Sequence, residues 1–131
     1  MSCNYEPSKW VVLQITQGRA VLFYKILAGW PSGFDTDWRL NSGITKCEET
    51  EEGDFLFHGE SNSVYLCKQE DYGFTNASLS VFEKLRKIAS TELQGSANLF
   101  TTLTLMPEHT NWKNLTNEKQ IHRSGKEMDS R

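Results

Sequence analysis

Cysteine is scarce in this chain: Cys3, Cys47 and Cys67 make an odd number with no regular spacing. That excludes a disulfide scaffold and fits reduced thiols. Long apolar runs are missing too, the longest candidate being broken at Tyr24-Lys25, well short of the roughly 18 to 20 apolar residues of a spanning helix. The start of the chain, through Pro7, has no basic residue followed by an apolar stretch, so no leader is expected and the reading is cytoplasmic, without a membrane partner. Catalytic and nucleotide-binding signatures are also lacking: no P-loop, dinucleotide fingerprint, nucleophile elbow or zincin motif occurs. No catalytic residue is assigned, no cofactor is expected, and the chain reads as a binding protein more than as an enzyme.

What is present fits one domain. A chain of 131 residues has room for a single core, expected over residues 1–116; the polar stretch 117–131 is expected to be disordered. The formal net charge of −3 conceals a concentration of acid: residues 48–71 hold eight acidic groups and one lysine, whereas each flanking segment is net +2. Glu48, Glu49, Glu51, Glu52, Asp54, Glu60, Glu70 and Asp71 lie in or beside turn signals. Such a patch repels nucleic acid and steers onto a basic protein surface. The plainer alternatives are solvated turns, or a calcium site without EF-hand spacing.

The fold class read from the pattern is α+β, an antiparallel sheet of five to six strands packed against one C-terminal helix. Trp10–Thr16 and Ala20–Leu27 are rich in β-branched and aromatic residues and flank Gln17-Gly18, a hairpin signal. A two-residue tip there pairs Leu13 with Leu22 and Val11 with Tyr24, and sets Lys25 over the Trp10 ring. A three-strand meander follows, Arg39–Thr50, Phe55–Gly59 and Val64–Lys68. With two-residue tips at Glu52-Gly53 and Ser61-Asn62, one face carries Ile44, Phe55, Phe57, Val64 and Leu66. The other lines up Cys47, His58 and Tyr65, with Glu49, Leu56 and Cys67 in the next row. Val81, Phe82, Leu85, Ile88, Ala89 and Leu93 mark a helix over roughly 77–94, capped by Thr75 or Asn76. Asn98–Met106 reads as a sixth strand, and Trp112 and Leu115 as one helical turn tucked against the body.

Candidate sites follow from this layout. The stretch 28–38 reads as a loop spending Trp30, Phe34 and Trp38 beside Asp35 and Asp37, where aromatics either anchor a partner or fold back over the sheet. With Glu48, Glu49, Glu51, Glu52 and Asp54 it forms the expected partner-binding surface. Cys47, His58 and Cys67 are the weak metal candidates, having the ligand types for zinc without the spacing of known zinc modules. A rival class is a small-ligand or single-stranded nucleic-acid binder using an aromatic sheet face of Trp10, Phe23 and Tyr65. A further alternative is a small enzyme with a His58, Tyr65 and Glu49 acid–base face.

The runs Trp38-Arg39-Leu40-Asn41-Ser42-Gly43-Ile44 and Ser61-Asn62-Ser63-Val64-Tyr65 resemble a pattern of small uncharacterised phage and bacterial accessory proteins, a Trp-Arg strand followed by a Ser-x-Ser-x-Tyr hairpin. Here Asn62 stands where that pattern has Gly. The resemblance spans about thirty residues and transfers no catalytic residue. It implies an accessory protein that binds a host protein, for instance as an inhibitor of a basic nucleic-acid-handling or defence protein.

Overall fold

Two antiparallel sheets and a helix form three layers in the computed structural model, which describes residues 3–30, 37–92, 101–115 and 128–129. In chain order the strands are β1 Lys9–Gln17, β2 Ala20–Trp30, β3 Asp37–Leu40, β4 Ile44–Glu49, β5 Phe55–Gly59, β6 Val64–Cys67, β7 Thr101–Leu105 and β8 Met128–Asp129. A 3-10 turn at Gln69–Asp71 and helix α1, Asn76–Glu92, lie between β6 and β7, and the short α2 spans Trp112–Leu115. The larger sheet has the order β7-β1-β2-β3-β8 and the smaller one β4-β5-β6. The expected α+β class with antiparallel strands and a packed helix is present; the single sheet is not. Residues 117–131 lie outside the described residues except for the β8 pair, which adds to the edge of β3.

The sheet divides because the expected Arg39–Thr50 strand turns a corner at Asn41-Ser42-Gly43. Gly43, at φ 138°, makes the turn that sends β4 into the second sheet. At the corner Asn41 is fully buried and takes over the ladder: its backbone N–H donates to the Ile26 carbonyl at 2.9 Å and its Oδ1 accepts from Ile26 N–H at 2.8 Å. Its Nδ2 has no hydrogen-bond partner among the described residues and points at Gly59, where a Cβ would lie 3.2 Å away. Asn41→Ala removes the acceptor and leaves the Ile26 N–H stranded in the core, so a loss of about 1–3 kcal/mol is expected in urea unfolding. An unchanged midpoint would show that the corner relaxes and finds Ile26 another acceptor.

Loop length accounts for the remaining differences in register. Both hairpins of the small sheet have three-residue tips, each a tight turn ending in a positive-φ residue: Glu51-Glu52-Gly53 with Gly53 at 86°, and Glu60-Ser61-Asn62 with Asn62 at 69°. One residue more than expected exchanges the faces of neighbouring strands. Cys47 therefore faces Phe57, which faces Tyr65, while His58 lies in the row of Lys46 and Val64. At the first hairpin the tip is Gly18-Arg19, and a bulge shifts the register between Ile15 and Thr16. Trp10 pairs with Ala28, Val12 with Ile26, Val11 with Leu27, and Leu13 with Lys25. Lys25 does not lie over Trp10; its Nζ sits 5.1 Å from the Phe23 ring centroid. Burial lowers the Lys25 pKa, and the Glu60 carboxylate opposes that shift.

Both faces of the large sheet are consequently buried. Val11, Leu13, Leu27, Leu40 and Leu103 pack under Phe82 and Ala89 of α1, with Val81 and Leu85 beside them. Ile88, expected in that stripe, is exposed, as is Leu105 of β7. Thr75 caps α1 through Ser78, whose N–H donates to Thr75 Oγ1 at 3.1 Å while Thr75 N–H donates to Ser78 Oγ at 2.9 Å. On the opposite face Trp10, Val12, Tyr24, Ile26 and Ala28 meet Cys47, Phe57, Tyr65 and Cys67 of the small sheet, with Trp112 and Leu115 of α2 closing one end. The expected helical turn that buries Trp112 and Leu115 is thus present.

Candidate functional site: an aromatic cleft at the acidic end

The expected sites disperse in the folded chain. Trp10 and Tyr65 are buried between the sheets, whereas Phe23 is half-buried beside Lys25 and Gly43, so the three rings expected to bind ligand or single strands do not form one exposed face. The same register separates the zinc candidates, with Cys47 and Cys67 facing inward and His58 outward; among the described residues no group of three or more metal-binding side chains gathers. Burial pushes the Cys47 thiol up to about 12, against the pull of Lys113 and with the help of Glu49 and Glu48. It raises the Cys67 thiol well above its ordinary value as well. Neither is a thiolate near neutral pH. The proposed acid–base face does not assemble: Tyr65 is interior and its hydroxyl accepts from Arg39 Nε at 3.1 Å, while Glu49 pairs with Lys113 at 3.3 Å.

The loop expected at 28–38 begins and ends in strand. Trp30 closes β2, packs on Tyr5 and donates from Nε1 to the Glu6 carbonyl at 3.0 Å. Trp38, in β3 next to Asp37, packs on the helix side. Phe34 and Asp35 lie outside the described residues, so the two tryptophans are strand residues on opposite faces of the sheet.

The acidic residues fall into two sets. Glu48 lies on the outer face of the small sheet, 3.0 Å from Lys46 Nζ and 3.1 Å from His58 Nε2. The hydrogen bond from Lys46, then that from His58, holds its carboxyl below the usual range. At the β4–β5 tip Glu51 and Glu52 are exposed, and Asp54 turns back so that its Oδ1 accepts from Gln69 N–H at 3.0 Å. This bond ties the tip to the 3-10 turn and brings Glu51, Glu52 and Asp54 to the same end of the molecule as Glu70 and Asp71.

Beside that end a cleft of about 160 Å³ opens over Trp10, Phe55 and Trp112, rimmed by Gln69, Glu108, His109 and Thr110. Trp10 is the hub of its floor. Its ring centroid lies 5.6 Å from that of Trp112, 5.5 Å from Phe57, 6.4 Å from Phe55 and 4.8 Å from Tyr72, at interplanar angles of 52° to 88°. These tilted and edge-on contacts are the favoured aromatic geometries. The indole N–H donates to the Lys68 carbonyl at 2.7 Å, just ahead of Gln69.

The opposite rim follows β7. Met106 N–H donates to the Val12 carbonyl at 2.9 Å, and the Tyr72 hydroxyl accepts from Val12 N–H and donates to the Met106 carbonyl. Burial, opposed by the Val12 N–H and reinforced by Glu108, pushes the Tyr72 hydroxyl up to about 12, so it remains a donor at neutral pH. Thr110 bonds the Pro107 carbonyl through both its N–H and its hydroxyl, at 3.1 and 2.6 Å. The segment between Pro107 and Thr110 is therefore held as a tight turn just ahead of α2.

Reading the chain alone missed this cleft, since Trp10 lay on a face that read as half polar, Phe55 read as core, and Pro107 read as the end of the sixth strand. The available signal was the tryptophan at position 112 amid polar residues, just after Glu108-His109-Thr110-Asn111. Comparison with protein-family models, curated proteins and solved structures finds no match for the chain. The cleft thus combines three aromatic rings, two of them almost fully buried, with polar groups and the Glu108 carboxylate at its rim. Among the described residues no helix is long and apolar enough to cross a membrane.

Proposed function

We propose that this protein is a non-enzymatic binding module that docks a basic protein surface on its acidic end, between the β4–β5 tip and the aromatic cleft. One observation carries the reading. The Asp54–Gln69 bond locks the acidic tip onto the 3-10 turn, so that Glu51, Glu52, Asp54, Glu70 and Asp71 share one end with a cleft floored by Trp10, Phe55 and Trp112. A concave centre of mixed polar and apolar lining beside a cluster of carboxylates can seat a partner side chain and steer its approach. The role implied by the phage-like resemblance, an inhibitor that covers the basic surface of a nucleic-acid-handling or defence protein, suits such a surface. Relative to the sequence reading, the anchor moves from Trp30 and Phe34 to the cleft, and Glu48 and Glu49 give way to the tip and the turn.

The test is capture from native host lysate followed by affinity measurement on the partner retained. Changing Glu51, Glu52 and Glu70 to Lys together is expected to weaken binding on the order of a hundredfold, because like charges then face each other across the contact. Changing Lys84, Arg86 and Lys87 of α1 to Glu is expected to leave it within about threefold, since these residues are exposed on the helix away from the cleft. Equal effects of the two triple changes would sink the reading.

A further inference from the structure

We propose that the outer edge of β7 is a self-association site, at which a second copy of this chain adds its own β7 antiparallel and joins the two large sheets into one. The inference is independent of the docking function above. It starts from the direction of the backbone groups. Met106 N–H donates to the Val12 carbonyl at 2.9 Å, so in this antiparallel ladder the groups of Thr104 and Thr102 also turn toward β1, and those of Thr101, Leu103 and Leu105 turn away from it. Strand β7 stands at the end of the sheet, and among the described residues nothing continues the sheet beyond it. The side chains leave the edge accessible: Thr102, Thr104 and Leu105 are all exposed, Leu105 at 39%.

An open strand edge invites pairing unless something blunts it. The other described edges are blunted. Asn4 and Tyr5 cover β6, where both N–H groups donate to the Val64 carbonyl and Leu66 N–H donates to the Tyr5 carbonyl at 2.8 Å. Strand β8 covers β3, and β4 carries Lys46, Glu48 and Glu49 together with an irregular register between Ile44 and Lys46. Strand β7 has no such device. Thr101-Thr102-Leu103-Thr104-Leu105 holds no charge, proline or glycine, and its pairing with β1 runs without a shift.

Symmetry selects a second copy as the occupant. Turned about a two-fold axis through Leu103, the strand sets Leu103 against itself, Thr101 against Leu105 and Thr102 against Thr104. Every outward N–H and C=O then finds a partner, because the outward residues pair only with one another. The Thr102–Thr104 pairs fall at the narrow positions, where two threonines suit each other. Leu105, exposed in one copy, lies across from Thr101 of the other.

Charge points the same way. The chain is net −3, so two copies repel over much of their surface, yet no charged residue occurs between 93 and 107. A charged peptide gains nothing on such an edge, whereas an identical strand meets no like charge there. Five residues a side make a small contact beside the roughly 20–30 of a standard interface, so the dimer is expected to dissociate in the micromolar range.

The test is sedimentation velocity of the full chain between about 5 and 500 µM, where the mass is expected to rise from 15.0 kDa toward that of a dimer. Amide hydrogen exchange over the same range is expected to slow at Leu103 and Leu105, whose N–H groups face outward, and to stay constant at Thr104, which is turned toward β1. Leu105→Pro removes an outward N–H that the single chain does not use in its ladder. Changing Thr102 and Thr104 together to Lys sets like charges directly opposite each other across the axis. Each variant is expected to weaken the dimer at least about tenfold, and Leu79→Lys, at an exposed position of α1, to leave it within about twofold. Circular dichroism reports whether the variants are folded, and the lysine pair, confined to exposed side chains, decides if the proline variant is not. A monomer at every concentration, or a dimer that both variants retain, overturns the inference. So do Leu103 and Leu105 amides already slow in the monomer, which would show that the chain covers this edge with its own residues.

Discussion

Trp10→Ala is expected to lose about 3–5 kcal/mol of folding stability, the usual cost of truncating a buried tryptophan. Trp10 is 1% exposed and touches aromatic rings from every element around the cleft: Phe55 and Phe57 of β5, Tyr72 after the 3-10 turn and Trp112 of α2. Its indole N–H also satisfies the Lys68 carbonyl at 2.7 Å, and its own carbonyl accepts from Gly73 N–H at 2.8 Å. The side chain therefore joins β1 of the large sheet to β5, the middle strand of the small one, and to the segments at Tyr72 and Trp112. Against the roughly 5–15 kcal/mol total of an ordinary domain, the loss takes about a fifth or more of the stability. Trp10→Phe keeps a ring in place and forfeits the bond to Lys68, so a smaller loss of about 1–2 kcal/mol is expected. Denaturant unfolding followed by far-ultraviolet circular dichroism measures both, and a loss under about 1 kcal/mol for Trp10→Ala would show that the hub is not where the layers are held.

Why the faces of the meander were exchanged in reading the chain alone is a matter of turn chemistry. Alternation of apolar and polar residues located the strands of the meander well: β5 has the expected bounds, Phe55–Gly59, and β6 ends one residue early at Cys67. Composition does not state loop length. Glu51-Glu52-Gly53 and Glu60-Ser61-Asn62 each add one residue to the assumed tip, and a period of two converts that residue into an exchange of faces. Cys47 thereby comes opposite Phe57 in place of His58, which dissolves the metal constellation. Asn62 gives the clue in hindsight, since asparagine is the non-glycine residue best suited to positive φ.

The corner at Asn41–Gly43 was hidden for another reason. Three small or polar residues inside a β-propensive run read equally as a strand with a wet face or as a switch between sheets, and the buried bonds of Asn41 to Ile26 decide it only through tertiary contact. The second sheet then covers the face that seemed half solvated. Helix α1 shows the opposite situation: its stripe of Val81, Phe82, Leu85 and Ala89 and its threonine cap were legible because helical periodicity and capping are local. The acidic concentration was legible as composition, yet its coupling to an aromatic cleft depended on one side chain, Asp54, reaching Gln69 across fifteen positions.

Gly29→Ala is expected to lose about 2–4 kcal/mol, combining overpacking with a disturbed helix cap. A Cβ at Gly29 would lie 2.6 Å from Thr75 Oγ1 and 2.8 Å from Thr75 Cγ2, and both atoms belong to a β-branched side chain with little rotational freedom. Thr75 is further fixed by its reciprocal bonds with Ser78, so it cannot swing aside without uncapping α1. The distinguishing measurement is a double-mutant cycle. Thr75→Ala removes both clashing atoms and costs about 1 kcal/mol as a lost cap; in that background Gly29→Ala is expected to cost at least 1 kcal/mol less than in the parent. Equal costs in the two backgrounds would mean that the strain is relieved by the strand and not by the helix. The outcome also bears on the cleft. Thr75 follows Gly73, whose N–H is bound to the Trp10 carbonyl, and Tyr72, whose ring packs on Trp10 and Trp112. A helix start pushed off Gly29 therefore pulls on the aromatic floor, and the indole resonances of Trp10 and Trp112 are expected to move in Gly29→Ala and to return toward their original positions in the double variant.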